Sequence, residues 1–411
     1  MYMILNKLKS NPAFTRHLAA TTLTSFADFF MLIMMPWMAL SVDGGGKSAV
    51  AIVLAIESFP RGIAILYGGR LTDKLGAKHL LIGARMALVV LFSCFALLLA
   101  NDWVNIYLLC VFALGFSLFS AAIAPATECI VPSIVEKDSL SSANSMIMST
   151  IQFCQIIAPV AAAASMAFLE TSKQGDNVTY LYPMLAAALM QGLAIGLIRT
   201  LPISNQNSTP TSSVLESVKT VWANVEVRNI TLLLFFVCLF AVGPSSVAYP
   251  LIVVERFAAD VEHYGQMFSV QAMGAILGYL LIARLKFKWQ IVNKVCLFQL
   301  IIAASLFALA LFYQKYLILI AVALIGFADA CIRVTVITHL QTTTKSHILG
   351  MTMSMVMLSV VGAIPISRAL SAIVVEYYSV DKLLMGSGIL TAITIVSFYF
   401  SSQRNALPQA Q

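Results

Sequence analysis

Long apolar stretches recur along the whole chain, and they constrain its fold more than any other feature. Residues 80–100 and 316–340 are two of them, and each reaches the roughly 20 residues that a helix needs to cross the hydrocarbon core of a bilayer. Only 10% of the residues are charged, whereas a soluble domain carries roughly 25%. Because lipid cannot hydrogen-bond to exposed backbone groups, these stretches predict membrane-spanning helices.

Twelve such stretches can be counted, six on each side of one long polar interruption. The predicted fold class is an all-α membrane protein with twelve transmembrane helices in two six-helix bundles. We predict an N-terminal bundle over 1–201, a cytoplasmic linker with an amphipathic helix over 202–229, and a C-terminal bundle over 230–411. The predicted spans, numbered 1 to 12, are 17–40, 48–68, 80–100, 104–127, 142–169, 181–201, 230–254, 264–283, 292–313, 317–340, 350–375 and 384–401.

Lysine and arginine are divided unevenly between the two sets of loops. If the N-terminus lies inside, sixteen of the 25 basic residues fall on the cytoplasmic side, five fall on the other side, and four lie within spans. Basic residues favour the cytoplasmic loops of membrane proteins. The distribution therefore predicts that both termini are cytoplasmic.

A polar segment between spans 2 and 3, residues 68–81, has the sequence GGRLTDKLGAKHLL. Its glycines, aspartate and basic residues resemble the signature loop of the major facilitator superfamily, with Ala77 replacing a usual basic residue. In that family the aspartate faces the start of span 11, near Gly350 here, where the helix dipole favours negative charge. The alternative is that this segment is only a solvated, positively charged turn on the cytoplasmic side. The resemblance implies a cytoplasmic gate, to which we assign Gly69, Asp73, Lys74, Gly76, Lys78, Arg85 and Glu128.

Other segments resemble the branch of that superfamily that includes the enterobactin exporter and macrolide-efflux-like proteins. TSFADFF in span 1 places Asp28 where the branch often has an aspartate, and residues 124–146 follow its pattern after span 4. The segment before span 11 departs from the branch at Ile348 and Leu349, where arginine-containing residues are usual. The resemblance implies a transporter that works as a monomer and alternates access to a site between two six-helix bundles.

Six ionisable residues lie well inside the predicted spans. Such a residue costs at least a few kcal/mol unless it faces a partner or an aqueous cavity. Four of the six form two acid–arginine pairs with a spacing of four residues, so each pair shares a helix face. Internal salt bridges are the alternative for these pairs, as is a structural hydrogen-bond acceptor for the remaining acid. We assign proton coupling to Asp28, Glu57 and Asp329, and substrate binding to Arg61, Arg333 and Arg368.

Other function classes lack their sequence signals. The chain has no GxxxxGK[ST] segment for ATP, and no Ser/His/Asp arrangement or metal-ligand spacing. We therefore predict that it is not an enzyme and that it uses no cofactor or metal. The net charge of +7 is not gathered into a dense basic patch, so nucleic acid is not an expected partner.

The sequence thus predicts a proton-coupled secondary active transporter in a bacterial cytoplasmic membrane. Arginines within spans favour a carboxylate-bearing substrate, because a guanidinium group binds a carboxylate with two hydrogen bonds. The expected partners are a small-molecule substrate, protons and membrane lipids. Export of a small organic compound, such as a carboxylate-type siderophore, is the favoured activity. Import of an organic anion or metal chelate is the alternative, and multidrug efflux or a non-transporting membrane sensor are lesser ones.

Overall fold

The structure, a computed structural model, describes residues 8, 10–42, 47–58, 60–171, 178–202, 214–256, 261–284 and 290–406. This part of the chain has no strand and contains twelve helical spans long and apolar enough to cross a membrane. The predicted fold class is confirmed. In span order the helices are Pro12–Ser41; Lys47–Ser58 with Arg61–Leu75; Ala77–Ala100; Ile106–Ile134; Leu140–Thr171; Val178–Arg199; Val225–Val237 with Gly243–Arg256; Val261–Arg284; Ile291–Leu311; Lys315–Thr343; Leu349–Tyr377; and Val380–Ala406.

Five helix ends differ from the predicted limits by five residues or more, including the start of span 1 at Pro12 and the end of span 12 at Ala406. Span 2 continues to Leu75 instead of ending at 68, and span 4 continues to Ile134 instead of ending at 127. Span 7 begins at Val225, five residues earlier than predicted. Charged residues occur at each of these ends. They interrupt the apolar pattern from which the limits were predicted, whereas the helix itself continues. The signature segment is therefore mostly helical, not a loop.

The predicted linker over 202–229 lies only partly within the described residues. Residues 203–213 are outside them, and Val214–Ala223 forms a separate helix of 10 residues. This helix buries Val221 and exposes Lys219. Asn224 then caps the start of span 7, because its side chain accepts hydrogen bonds from two backbone N–H groups of the first turn.

The chain divides into two compact units whose limits follow the halves of the sequence with two exceptions. The start of span 5 belongs to the second unit, and the start of span 11 belongs to the first unit. The predicted bundle limits of 1–201 and 230–411 stay a prediction. The first unit comprises Met1–Ser139, Thr150–Val218 and Thr344–Ser354, and the second comprises Leu140–Ser149, Lys219–Thr343 and Met355–Gln411.

Methionine and phenylalanine fill the core of the first unit. Phe92 of span 3 and Phe112 of span 4 pack with ring centroids 5.7 Å apart. Asp28 precedes the methionines of span 1 by one turn on the same helix face, so this packing directs its carboxyl group into the unit. The fully buried methionines of span 1 are Met31, Met34, Met35 and Met38.

Span 7, in the second unit, contains a short π-helical segment at Cys238–Val242. Such segments are rare and occur frequently at functional sites. A Cβ atom at Gly243 would collide with Ser367 of span 11, and the Ser367 hydroxyl donates a hydrogen bond to the carbonyl oxygen of Leu239. This close contact fixes the position of the adjacent Arg368.

Large apolar side chains remain exposed along the spans. Leu97, Val111, Leu193 and Leu277 are each more than half exposed. Monomeric soluble proteins rarely leave contiguous apolar patches of this kind in water. Surfaces of this composition suit contact with lipid.

Candidate functional site

Asp73, in the last turn of span 2, contacts the beginning of span 11 within the first unit. Its Oδ1 accepts a hydrogen bond from the backbone N–H of Gly350 at 2.8 Å, and its Oδ2 accepts one from Met351 at 2.9 Å. The first N–H groups of a helix have no acceptor within the helix, and the helix dipole adds partial positive charge there. The carboxylate therefore joins spans 2 and 11 through two charge-assisted hydrogen bonds.

Two glycines allow the backbones of spans 2 and 11 to approach at this junction. A Cβ atom at Gly69 would lie 2.7 Å from the carbonyl oxygen of Gly350 and closer still to Ser354. A Cβ atom at Gly350 would lie 2.6 Å from Oδ1 of Asp73. Both separations are too short for a side chain, so a larger residue would push the helices apart.

Gly76 connects spans 2 and 3 with a φ of 82°, a backbone conformation that favours glycine. The turn that follows brings Lys78 to the end of span 6, where its Nζ donates a hydrogen bond to the carbonyl oxygen of Leu201 at 2.6 Å. Lys74 is exposed. Lys74 and Lys78 of the signature segment therefore have different surroundings, and Lys78 holds the C-terminal end of span 6.

Glu128 and Arg85, the other two predicted gate residues, do not lie together. Glu128 is buried in span 4, and the neighbouring Cys129 is close enough to both Glu128 and Asp73 to interact with their charges. Glu128 therefore lies near the junction. Arg85 is also buried, but its Nη1 donates a hydrogen bond to Oε1 of Gln191 at 3.0 Å. The structure places Arg85 with the polar residues around Asp28, a grouping that the sequence does not reveal.

A second junction, which sequence reasoning missed, joins spans 5, 8 and 10 within the second unit. The hydroxyl of Ser142, in the first turn of span 5, donates a hydrogen bond to the carbonyl oxygen of Ala283 at 3.1 Å. The Asn144 amide donates to Oε1 of Gln341 at 2.7 Å and to Oγ1 of Thr338 at 2.9 Å. The groups of this junction are neutral. The signal in the sequence is the polar run SLSSANS at the start of span 5.

Asp28 is linked to Arg85 through the side chain of Gln191. The Gln191 Nε2 donates a hydrogen bond to Oδ1 of Asp28 at 3.0 Å, while its Oε1 accepts the bond from Arg85. Gln191 and Arg85 are buried on spans 6 and 3. The amide thus separates the acid from the base, so Asp28 has no direct ion pair with Arg85.

Glu57, in the last turn of the first helix of span 2, forms an ion pair with Arg61, the first residue of the second helix. The distance between Oε1 of Glu57 and Nη2 of Arg61 is 3.2 Å, and Ser58 donates a further hydrogen bond to Oε2 at 3.0 Å. Glu57 is buried, whereas the side chain of Arg61 is 30% exposed. The predicted pairing is thus present, although the two residues belong to two successive helices rather than to one helix face. Arg61 retains a surface for another ligand.

Asp329 and Arg333 form the corresponding pair in span 10, with 2.7 Å between Oδ2 and Nε. Both side chains are partly exposed, at 26% and 34%. Arg368 of span 11 is exposed, and its Nε donates a hydrogen bond to Oγ of Ser246 at 3.1 Å. The second unit therefore presents two arginines, of which one is held by an acid and the other by a hydroxyl.

A further ion pair, which sequence reasoning also missed, joins spans 7 and 12. Arg256 contacts Asp381 through Nη2, and its Nη1 donates hydrogen bonds of 2.8 Å to the carbonyl oxygens of Leu309 and Phe312. The hydroxyl of Tyr313 donates to Asp381 at 2.8 Å, and this bond raises the pKa of Tyr313. The cluster ties together the ends of spans 7, 9 and 12.

Comparison with known proteins identifies similar sequences. The sequence profile of the Major Facilitator Superfamily matches residues 18–367 of the chain. The Staphyloferrin A transporter of Staphylococcus aureus (strain NCTC 8325 / PS 47) is 22% identical over 366 residues, which cover 86% of this chain and 88% of that protein.

Solved structures share the fold at low sequence identity. The human organic anion transporter MFSD10 superposes with a TM-score of 0.75 and 13% identity, covering 94% of this chain and 99% of that chain. The fucose:proton symporter of E. coli gives a TM-score of 0.72 and 13% identity, covering 94% and 98%. An outward-facing bacterial homologue of the iron transporter ferroportin gives 0.73 and 13%, covering 94% and 99%.

Proposed function

The chain belongs to the major facilitator superfamily, and from this premise we propose that it is a proton-coupled secondary active transporter of a small organic anion. The observation that carries the proposal is the set of acids and arginines held inside the spans. Charges within a membrane are costly and usually mark a substrate or ion pathway. Three partly or fully exposed arginines favour an anion over a cation: Arg61, Arg333 and Arg368.

A carboxylate-type siderophore is the proposed substrate. The guanidinium group of arginine forms two parallel hydrogen bonds with a carboxylate, and a compound with several carboxylates can use several arginines. The similarity to a Staphyloferrin A transporter supports a siderophore. The resemblance of the sequence to exporters favours export, with import as the alternative.

Asp28 is the proposed carrier of the coupled proton. Glu57 and Asp329 each contact an arginine directly, so protonation of either would leave a positive charge without its partner. Asp28 accepts a hydrogen bond from a neutral amide and contacts no arginine directly, so its protonation breaks no ion pair. We therefore narrow the three predicted proton sites to Asp28 and assign the other two acids to orienting Arg61 and Arg333.

The Asp73 junction is the proposed gate. Its two hydrogen bonds would hold spans 2 and 11 together in one access state and break in the other, as alternating access requires. The proposed setting is a bacterial cytoplasmic membrane, with both termini cytoplasmic and the protein acting as a monomer.

Transport in oriented vesicles tests this function. Inside-out and right-side-out vesicles would be given labelled carboxylate siderophores and cationic drugs, with and without a proton gradient. We expect gradient-dependent accumulation of a carboxylate compound, and we expect Arg368→Ala to reduce it. Arg284→Ala is the matched control, because Arg284 is an exposed arginine at the end of span 8 rather than inside a span.

The orientation that accumulates substrate reports the direction of transport. Accumulation in inside-out vesicles means export, and accumulation in right-side-out vesicles means import. Transport of cationic drugs that is indifferent to Arg368 would contradict the anion proposal. Binding without transport in any vesicle would favour a sensor, and Asp73→Asn would then leave binding unchanged.

A further inference from the structure

The charged residues around Asp28 include two arginines. Arg61 of span 2 and Arg85 of span 3 both lie close enough to interact electrostatically with Asp28. Gln191 of span 6 donates a hydrogen bond to Asp28, and Ser120 of span 4 lies beside it. These residues belong to the first unit, and they face Asp28 from four different spans.

Two more titratable residues complete the surroundings. Glu57 pairs with Arg61, and His17 of span 1 lies near enough to Arg85 to interact with its charge. His17 is buried, and within the described part of the chain neither ring nitrogen has a hydrogen-bond partner. A proton bound by His17 would also change the charge near Arg85. A test must therefore distinguish protonation of His17 from protonation of Asp28.

The charges of the two acids and two arginines cancel when both acids are ionised. An anionic ligand that approaches Arg61 then meets a cluster without net charge, and Asp28 and Glu57 repel it. Protonation of Asp28 removes one of these negative charges and leaves the cluster with one positive charge. Glu57 does not offer the same change, because its protonation would break the direct contact with Arg61.

We propose that the first unit binds a substrate carboxylate at Arg61 and a proton at Asp28 together, so that each strengthens the binding of the other. The inference rests on the proposed function and adds the sign of its coupling. Arg61 is the ligand-binding arginine because its side chain is 30% exposed, whereas Arg85 is buried. Thermodynamic linkage is reciprocal, so the proton favours the anion as much as the anion favours the proton.

Co-binding of proton and anion has a consequence for direction. A carrier that binds both ligands in the same state moves them in the same direction, which is symport. A proton gradient directed into the cytoplasm would then drive import, opposite to the export that the sequence resemblance favours. A cationic substrate would compete with the proton for Asp28 and would instead give antiport.

Calorimetric titration of the purified full-length protein with citrate tests the inference. Titrations at one pH in two buffers with different ionisation enthalpies count the protons taken up for each citrate bound. We expect uptake of one proton by the wild type, and an affinity that rises up to about tenfold for each unit of decrease in pH. Asp28→Asn, a variant of the same shape that resembles the protonated acid, should bind citrate at high pH at least as tightly as the wild type, with no uptake.

Two variants assign the proton to its residue. His17→Gln should retain the uptake of one proton, and its loss would move the site from Asp28 to His17 and overturn the inference. Glu376→Gln, at an exposed position near the end of span 11, is the matched control for removal of an acid, and it should also retain the uptake. Asp28→Asn corrects for protons that citrate itself binds or releases.

The outcomes separate the inference from the function on which it rests. Citrate binding with no proton uptake, or with proton release, overturns the inference and leaves an anion transporter in place. Citrate binding that keeps its full pH dependence in Asp28→Asn overturns it too. Failure of citrate and of every labelled siderophore to bind contradicts the proposed function, and the inference fails with it.

Discussion

The two units of the protein hold their acids in different ways. In the first unit, Asp28 accepts a hydrogen bond from the Gln191 amide, and Asp73 accepts two from backbone N–H groups. In the second unit two acids contact arginines, Asp329 with Arg333 and Asp381 with Arg256, and Glu226 contacts His339.

This difference decides which contact protonation of each acid would break. An acid held by neutral donors can take up a proton without breaking a direct ion pair. An acid paired with a partly buried arginine leaves that arginine uncompensated when it is protonated or removed, which is strongly destabilising. Glu57 follows the second pattern although it belongs to the first unit, because Arg61 is its partner. The comparison supports the proposal that Asp28 responds to protons while the arginine-paired acids keep a fixed electrostatic role.

Loss of Asp28 should have the largest effect on transport. With one proton carried for each substrate, a gradient of two pH units supports about 100-fold accumulation, since one unit corresponds to about 1.4 kcal/mol. In reconstituted vesicles we expect Asp28→Asn to reduce the accumulation of substrate to about 1-fold, which is no accumulation. Exchange of substrate without a gradient should continue. Asp329→Asn should still respond to the gradient. Equal loss in the two variants would remove the distinction between the units.

Loss of Asp381 should have the largest effect on stability. Arg256, whose side chain is 3% exposed, would lose its acid but keep two carbonyl acceptors. We expect Asp381→Asn to lower the free energy of unfolding by about 2 kcal/mol, below the full cost of breaking a buried pair because Asp381 is 30% exposed. Thermal unfolding in detergent measures the change. Asp28→Asn should lower the stability by less, and the reverse order would break the comparison.

Loss of the charge at Asp73 should have an intermediate effect on transport. The side-chain oxygen of asparagine can accept a hydrogen bond from one of the two N–H groups at the start of span 11. It lacks the negative charge that the helix dipole favours. We expect Asp73→Asn to slow transport about tenfold, equivalent to about 1.4 kcal/mol. Asp138→Asn, the same change at an exposed position before span 5, is the control and should transport normally. Normal rates in Asp73→Asn would remove the junction from the gating mechanism.

The neutral junction of the second unit should be the least sensitive. Asn144→Ala removes two hydrogen bonds between uncharged groups, each worth about 1 kcal/mol or less. We expect the transport rate to fall about threefold, and the small change should not depend on pH. Ser141→Ala removes a longer bond of 3.4 Å to Ile282 and should change the rate less. A loss in Asn144→Ala as large as that in Asp73→Asn would make the two junctions equivalent.

The sequence predicted the fold and the chemistry of single helices better than it predicted contacts between helices. Twelve spans follow from apolar length, and the Glu57–Arg61 and Asp329–Arg333 pairs follow from a spacing of four residues. The contact of Asp73 with the start of span 11 follows from the family resemblance.

Contacts that depend on the arrangement of distant helices could not be predicted in this way. Gln191 lies 163 positions after Asp28 and 106 positions after Arg85. The residues of the span 5 junction are separated by more than 140 positions. The sequence of one helix does not indicate which face of span 3 or span 6 packs against it. For the same reason the sequence does not reveal that Arg85 contacts Gln191. The ends of spans 2 and 4 were placed too early because Asp73 and Glu128 interrupt the apolar pattern while the helix continues.

The coupling of anion and proton movement is the central claim, and substrate-driven proton flux tests it most directly. Vesicles containing the protein and a trapped pH indicator would start without a pH gradient and receive an external siderophore that the transport assay has identified. We predict that the lumen acidifies as the anion enters, and that Asp28→Asn transports the anion without acidification. Alkalinisation of the lumen, or unchanged acidification in Asp28→Asn, would contradict the account.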